Sequence, residues 1–260
     1  RMLWLAAIVF LVPSVCFWSS GVLKEAPLMM GCGLLVWSLF RLPSDYRKIY
    51  VWIVFLASAA LLVHLKEYVV ISMIPASVFF ILSSVTSHRM VWINFVVVHL
   101  VLILAALNLP LISGGDLVYV LQKKQQDFVN VGELAGAGSM ISPIEISDVG
   151  SFLLHYPQAL ATAYFRPFLF ESSSPFYILA AFENVLLTAL IVLMFVRFRR
   201  PAREDLKMLL WCFSFVIVLG GIIGFTVPIL GALVRYKIAA IPFLFIAISA
   251  MIRPFRTKSV

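Results

Sequence analysis

Residues 13–27 read PSVCFWSSGVLKEAP, and the Lys24-Glu25 pair in them stands between two apolar runs with barely a loop to hold it. An ionised pair in such a place is tolerated where a chain leaves one apolar environment and turns back into it. The rest of the sequence has the same character. Of its residues, 63% are hydrophobic and 12% charged, and the mean hydropathy is +1.06. A chain this apolar has too little polar surface to cover a water-soluble globule, whereas a bilayer solvates Leu, Val and Phe directly. The reading is an integral membrane protein, all-α, because runs of roughly 17 to 25 apolar residues suit helices crossing a hydrocarbon core about 30 Å thick. The short alternating segments of a membrane β-barrel are absent from the sequence.

Outward from Lys24-Glu25, eight spans are predicted at 2–19, 26–41, 48–64, 68–86, 90–111, 175–197, 206–226 and 236–252, forming a polytopic transmembrane helical bundle treated as a single domain over 1–260. Pro13 interrupts the first span and the second is short, so a broken or re-entrant pair is an open alternative. No internal repeat, low-complexity tract or cleavable signal peptide is visible. The chain opens on Arg1 without a methionine, which leaves open a fragment lacking upstream helices.

Charge sets the expected orientation. Thirteen of the twenty Lys and Arg residues fall on one set of helix ends (Arg1, Arg41, Arg47, Lys48, Arg89, Arg197, Arg199, Arg200, Arg203, Lys207, Arg253, Arg256, Lys258) and seven on the other. By the positive-inside rule the first set is cytoplasmic and both termini of this chain lie with it. The net charge of +8 is then a topology signal and a match to anionic headgroups, and no nucleic-acid partner is expected, since the basic residues do not gather on one face.

This topology puts Lys24-Glu25, the 62-residue segment 113–174 and Arg235 on one outer, extracytoplasmic side. A loop of that length is usually functional or disordered. Order is expected in its second half: from a Ser147-Asp148 N-cap, VGSFLLHYPQALATAYF puts Phe152, Leu153, Tyr156, Leu160 and Tyr164 on one side of an amphipathic helix. It is read as interfacial, with a re-entrant piece packed under the bundle as the alternative. Protein partners would meet the chain at this loop.

Next, FRPFLFESSSPFYILAAFEN (165–184) places Arg166 before Pro167, then Glu171, then Glu183-Asn184 about two turns into the sixth span. An ionisable group inside a span costs a few kcal/mol by insertion scales, so Glu183 needs a partner or a cavity. It is either helix glue or a carboxylate facing a substrate groove. The last outer turn delivers Arg235, Tyr236 and Lys237 at the start of the final span. Snorkelling and an aromatic belt explain many such residues, but on the outer side positive charge has no topological role, and Arg offers a planar fork to phosphate oxygens.

Cys16, Cys32 and Cys212 have no metal-ligand spacing and make no disulfide framework. His64, His88, His99 and His155 are scattered, with His99 read as a helix-packing polar residue. Gly220 and Gly224 form a G-x-x-x-G that permits close helix approach. No metal, nucleotide or other cofactor is expected, because phosphate loops, dinucleotide fingerprints and nucleophile elbows are all missing from the sequence.

The blocks PSVCFWSSGVLKEA (13–26), QKKQQDFVNV (122–131) with the later Gly138-Ser139, FRPFLFESSSPFYILAAFEN (165–184) and LGALVRYKIAAIPFLF (230–245) resemble recurrent blocks of multi-pass membrane proteins in bacterial surface-polysaccharide clusters. Those are similar in layout to lipid-carrier-dependent membrane glycosyltransferases and O-antigen polymerases. Many of them read Arg-Pro-Phe-Pro-Trp-Glu where this chain reads Arg166-Pro167-Phe168-Leu169-Phe170-Glu171, so the ends match and the middle departs. The resemblance implies a bacterial inner-membrane protein acting on polyprenyl-pyrophosphate-linked sugars at the outer face, with membrane lipid and the polyprenyl-linked glycan as its partners. Cations would hold the leaving pyrophosphate while a carboxylate accepts a proton from the attacking sugar hydroxyl. Lys24, Arg166, Arg235 and Tyr236 are the substrate-binding candidates, and Glu25, Glu171 or Glu183 the catalytic one. The rival is a non-enzymatic subunit or anchor of a larger complex. A transporter comes third, for lack of internal repeats.

Overall fold

The structure, a computed structural model, describes residues 12–21, 23–108, 116–171, 174–203 and 205–252. These form α1 (Pro13–Ser20), α2 (Glu25–Asp45), α3 (Ile49–Val85), α4 (Val91–Leu107), α5 (Leu117–Leu134), α6 (Val149–Phe165), α7 (Pro175–Val196), α8 (Leu206–Thr226), α9 (Leu230–Lys237) and α10 (Ile241–Ala250). Among the described residues the extended pairing is confined to two isolated antiparallel bridges, Met140 with Ile229 and Phe198 with Ile252. The expected all-α class is what the backbone shows.

Among the described residues five helices are long and apolar enough to cross a membrane: α2, α3, His88–Leu107, α7 and α8; a sixth is added if α9 and α10, bent by 58° from one another, count as one span. Eight were expected, and the difference has local causes. Residues 2–11 of the first span lie outside the described residues, and its remainder is the eight-residue α1. The spans at 48–64 and 68–86 are joined in the 37-residue α3.

α3 is not straight. Lys66 carries extended backbone (φ −155°, ψ 90°) inside it. Side-chain contacts show what the break does. Leu62 faces Gly31 of α2, Lys66 meets Glu25 at the start of α2, and Phe80 stacks on Phe40 near its far end, ring centroids 4.3 Å apart. The limb before Lys66 thus runs against α2 and the limb after it runs along α2. A straight helix of 37 residues would extend about 55 Å, well past a hydrocarbon core of about 30 Å. The reversal at Lys66-Glu67 keeps both limbs within the bundle and leaves the charged pair at its end.

α8 is the centre of the bundle, 72% buried over its most apolar stretch. The Gly220/Gly224 motif does permit close approach, and its partner is α6. A Cβ at Gly224 would lie 2.0 Å from the Ala159 carbonyl oxygen, and one at Gly220 2.4 Å from the Tyr164 ring. α6 begins with the expected cap: the Asp148 carboxylate accepts from Ser151 N at 2.6 Å and the Ser151 hydroxyl accepts from Asp148 N at 3.0 Å. Phe152 stacks on Phe225 at 5.0 Å, Tyr156 donates to Ile217 O and Tyr164 donates to Val216 O. α6 therefore lies antiparallel to the second half of α8 and reaches its middle. The buried side is Phe152, Tyr156, Ala159, Ala163 and Tyr164, while Leu153, expected on that side, is exposed. The first half of the loop, for which no order was expected, holds α5. Gln125 of α5 donates to Ile144 O (3.0 Å) and Phe225 O (2.6 Å), and Gln122 to Ile146 O, which fixes the strap 139–148 over the end of α8.

Candidate functional site

Glu25 opens α2, where the positive end of the helix dipole favours a carboxylate. Its side chain is completely buried. Arg235, in the last turn of α9, grips it with both arms of the guanidinium: Nε to Oε1 at 2.5 Å and Nη2 to Oε2 at 2.8 Å. Lys66, delivered by the break in α3, places Nζ 3.2 Å from the same Oε1. Two cations thus share one carboxylate, and the cluster keeps a net charge of +1.

Aromatic rings wall this cluster. Lys66 Nζ lies 4.1 Å from the centroid of Tyr236 and 6.0 Å from that of Tyr68. Arg235 sits 5.5 Å from the Trp18 ring, and Phe128 of α5 meets Tyr236 edge-on at 5.8 Å. The Lys66 ammonium and the Tyr68 hydroxyl are buried, and neither makes an aligned hydrogen bond. Unused donors beside surplus positive charge are an arrangement that an incoming anion satisfies. Arg235, with a third of its side chain exposed, is the way in. Beside it an apolar crevice of about 50 Å³ runs between α1, α7 and α9, lined among others by Phe17, Trp18, Phe176 and Val234. Lys24 is exposed next to Glu25. At the rim, Lys124 faces Glu67 at 4.0 Å, an exposed pair worth little by itself.

On the other side of α9 the polar groups close helix ends. Lys237, 1% exposed, donates to Asn184 Oδ1 (2.7 Å), Arg166 O (3.1 Å) and Tyr164 O (3.4 Å). Asn184 Nδ2 donates to Phe165 O and Pro167 O. The last carbonyls of a helix have no partner within it, so Lys237 and Asn184 together cap the buried C-terminus of α6, where a cation is also favoured by the dipole. Glu183 does the converse for α1, accepting from Ser14 N (2.8 Å) and Ser14 Oγ (2.7 Å). It points into the bundle, as expected, and there it ties α7 to the start of α1.

Arg166 and Glu171 form a second, separate pair, Nη2 to Oε1 at 3.1 Å, with Phe168 N donating to the other carboxylate oxygen at 2.9 Å. They border an open cavity of about 510 Å³ between α6 and the strap 139–148. Among the three carboxylates singled out in the sequence, Glu171, with both oxygens bonded, is the one that borders a cavity, while Glu25 and Glu183 are buried. Sequence reasoning brought Glu25 and Arg235 to one end but passed over Lys66, Tyr68 and Trp18. The signal for Lys66 was legible: Lys66-Glu67 interrupts an apolar run just as Lys24-Glu25 does.

His99 packs as expected, its ring nitrogens at 2.7 Å from Phe95 O and 2.6 Å from Ser214 Oγ. Among the described residues no three His, Cys, Asp or Glu side chains gather as a metal site. Comparison with protein-family models, curated proteins and solved structures finds no match for this chain.

Proposed function

We propose that this is a multi-pass protein of the bacterial inner membrane that binds the phosphate of a polyprenyl-linked glycan at the Arg235–Lys66–Glu25 cluster, and that it works as a membrane glycosyltransferase or polymerase in surface-polysaccharide assembly. The observation that carries this reading is the surplus cation: one buried carboxylate between Arg235 and Lys66 leaves a net positive, aromatic-walled site with unused donors. The small apolar crevice at Trp18 supports a lipid-borne substrate, since it sets apolar surface beside the ring that Arg235 faces.

Taken as crossings, α2, the two limbs of α3, α4, α7, α8 and the bent α9–α10 would make seven, and the first span expected from the sequence an eighth. In that reading both ends of this chain are cytoplasmic, the cluster lies at the outer face, and α6 is a re-entrant helix rather than an interfacial one. Of the carboxylates, Glu171 is the one that borders a cavity open to a sugar hydroxyl, while the cations across α9 hold the phosphate. A non-catalytic subunit is the second reading, favoured by the engagement of all three candidate bases in structural contacts, Glu25 and Glu183 in buried ones.

The test is binding of undecaprenyl phosphate to the purified protein in nanodiscs, alongside complementation of glycan assembly. Loss of one charge-assisted contact in Arg235→Ala should weaken lipid-phosphate binding about tenfold or more. Equal binding by wild type and variant would remove the phosphate role, and normal glycan length with the variant would favour the subunit reading.

A further inference from the structure

The cavity beside α6 differs in charge from the cluster across α9. Its two ionised groups, Arg166 and Glu171, neutralise one another at 3.1 Å. The rest of its polar lining is uncharged: Gln158 and Thr162 from successive turns of α6, and Ser142 from the strap. Phe168 supplies an aromatic wall, stacked on Phe170 at 5.3 Å with the Arg166 guanidinium 5.8 Å from its ring. A volume of about 510 Å³ falls in the range of ligand pockets and holds a molecule of disaccharide size.

These groups select by type. A paired Arg–Glu couple offers donors and acceptors side by side without net charge, so it suits a ligand that both gives and takes hydrogen bonds, as vicinal hydroxyls do. A free anion would meet Glu171, and a free cation Arg166. Aliphatic ring faces of a sugar pack on an aromatic wall, and the amide and hydroxyls of Gln158, Thr162 and Ser142 match further hydroxyls. The site is also held in place. Lys237 and Asn184 fix the backbone at residues 164–167, and the Gly220/Gly224 face of α8 locks α6 from behind.

We infer that the Arg166–Glu171 cavity is a saccharide-binding site for an uncharged, hydroxyl-rich sugar unit of about disaccharide size. This deepens the functional reading above and rests on it for the biological ligand: the phosphate would be held at Arg235 and the glycan at Arg166, with α9 between them.

Saturation-transfer-difference NMR on the purified protein in nanodiscs tests it, using maltose and N,N′-diacetylchitobiose as neutral probes and the disaccharide of glucuronic acid and N-acetylglucosamine as the acidic one. Weak binding is expected, with saturable transfer at about 10 mM probe or below. Gln158→Ala and Phe168→Ala, both at exposed positions, should each reduce transfer from a neutral probe severalfold, whereas Leu134→Ala, far out on α5, should leave it intact. Absence of transfer from both neutral probes, equal transfer in the Gln158 and Phe168 variants, or preference for the acidic probe would each overturn the assignment. Failure of Arg235→Ala to affect undecaprenyl phosphate would sink the phosphate reading alone, because the saccharide result is read from different residues.

Discussion

Arg235 and Arg166 are each bonded to a glutamate, yet the two pairs are built for different work. Arg235 shares its carboxylate with Lys66, and that carboxylate is wholly buried, so the surplus charge lies beside the partly exposed Arg235. Arg166 has Glu171 to itself at the edge of a roomy cavity, so the charge cancels and hydrogen-bonding capacity remains. Stoichiometry, not residue type, separates a net positive cluster from a neutral one. Between them α9 turns Arg235 to one side and Lys237 to the other, and Lys237 spends its donors on the end of α6.

The largest effect is expected at the shared carboxylate. Glu25→Ala leaves Lys66 and Arg235 facing each other, Lys66 almost wholly buried, and breaking such a group typically costs about 3–5 kcal/mol. Thermal unfolding in nanodiscs should fall sharply, and added undecaprenyl phosphate should restore part of the loss if the cluster is an anion site. The corresponding change at the other pair, Glu171→Ala, should be mild, since both partners are partly exposed. Equal losses would erase the distinction between the regions.

Gly224→Leu comes next. Its Cβ would stand 2.0 Å from the Ala159 carbonyl, where backbone must give way, and overpacking of this kind costs about 1–3 kcal/mol or more. Displacing α6 should disturb the Arg166 cavity and spare the cluster, so saccharide transfer should fall while lipid-phosphate binding holds. Loss of both together would show that α9 couples the two sites rigidly. Arg235→Lys sharpens the comparison further: an ammonium keeps the charge but not the planar fork, so binding of undecaprenyl phosphate should lie between wild type and Arg235→Ala.

How much of this was readable from residues follows from periodicity and range. Apolar runs announce helices because a bilayer rewards unbroken hydrophobicity, and Ser147-Asp148 announced the start of α6 because a cap acts over three residues. The Gly220/Gly224 spacing announced a close approach but not with whom, since Ala159 lies sixty-five positions away. Glu183 was expected to need a partner, yet Ser14 could not be named, the two being 169 residues apart. The first half of the loop was missed because α5 carries a polar run at 122–127 and its order depends on Gln122 and Gln125 reaching carbonyls of the strap. Lys66 was counted for topology and not for chemistry, although it makes the cluster net positive.

The smallest effect concerns the cap that starts α6. Asp148 accepts from the Ser151 backbone, which holds its carboxyl below the ordinary aspartate range. A carboxyl with a depressed folded-state pKa contributes stability above its unfolded value and loses it as pH falls through the folded one. The first turn of α6 should therefore loosen under acid conditions below the usual aspartate range, while its C-terminus, capped by Lys237 and Asn184, stays closed. Hydrogen exchange of the Ser151 and Phe152 amides, corrected for intrinsic rates, should rise there in the wild type. Asp148→Asn keeps a capping oxygen without a titrating one, so its exchange should be nearly independent of pH over that window. Identical profiles for the two proteins would mean that α6 is held by its glycine-lined contact with α8 alone, and that the cavity it borders is indifferent to how the helix begins.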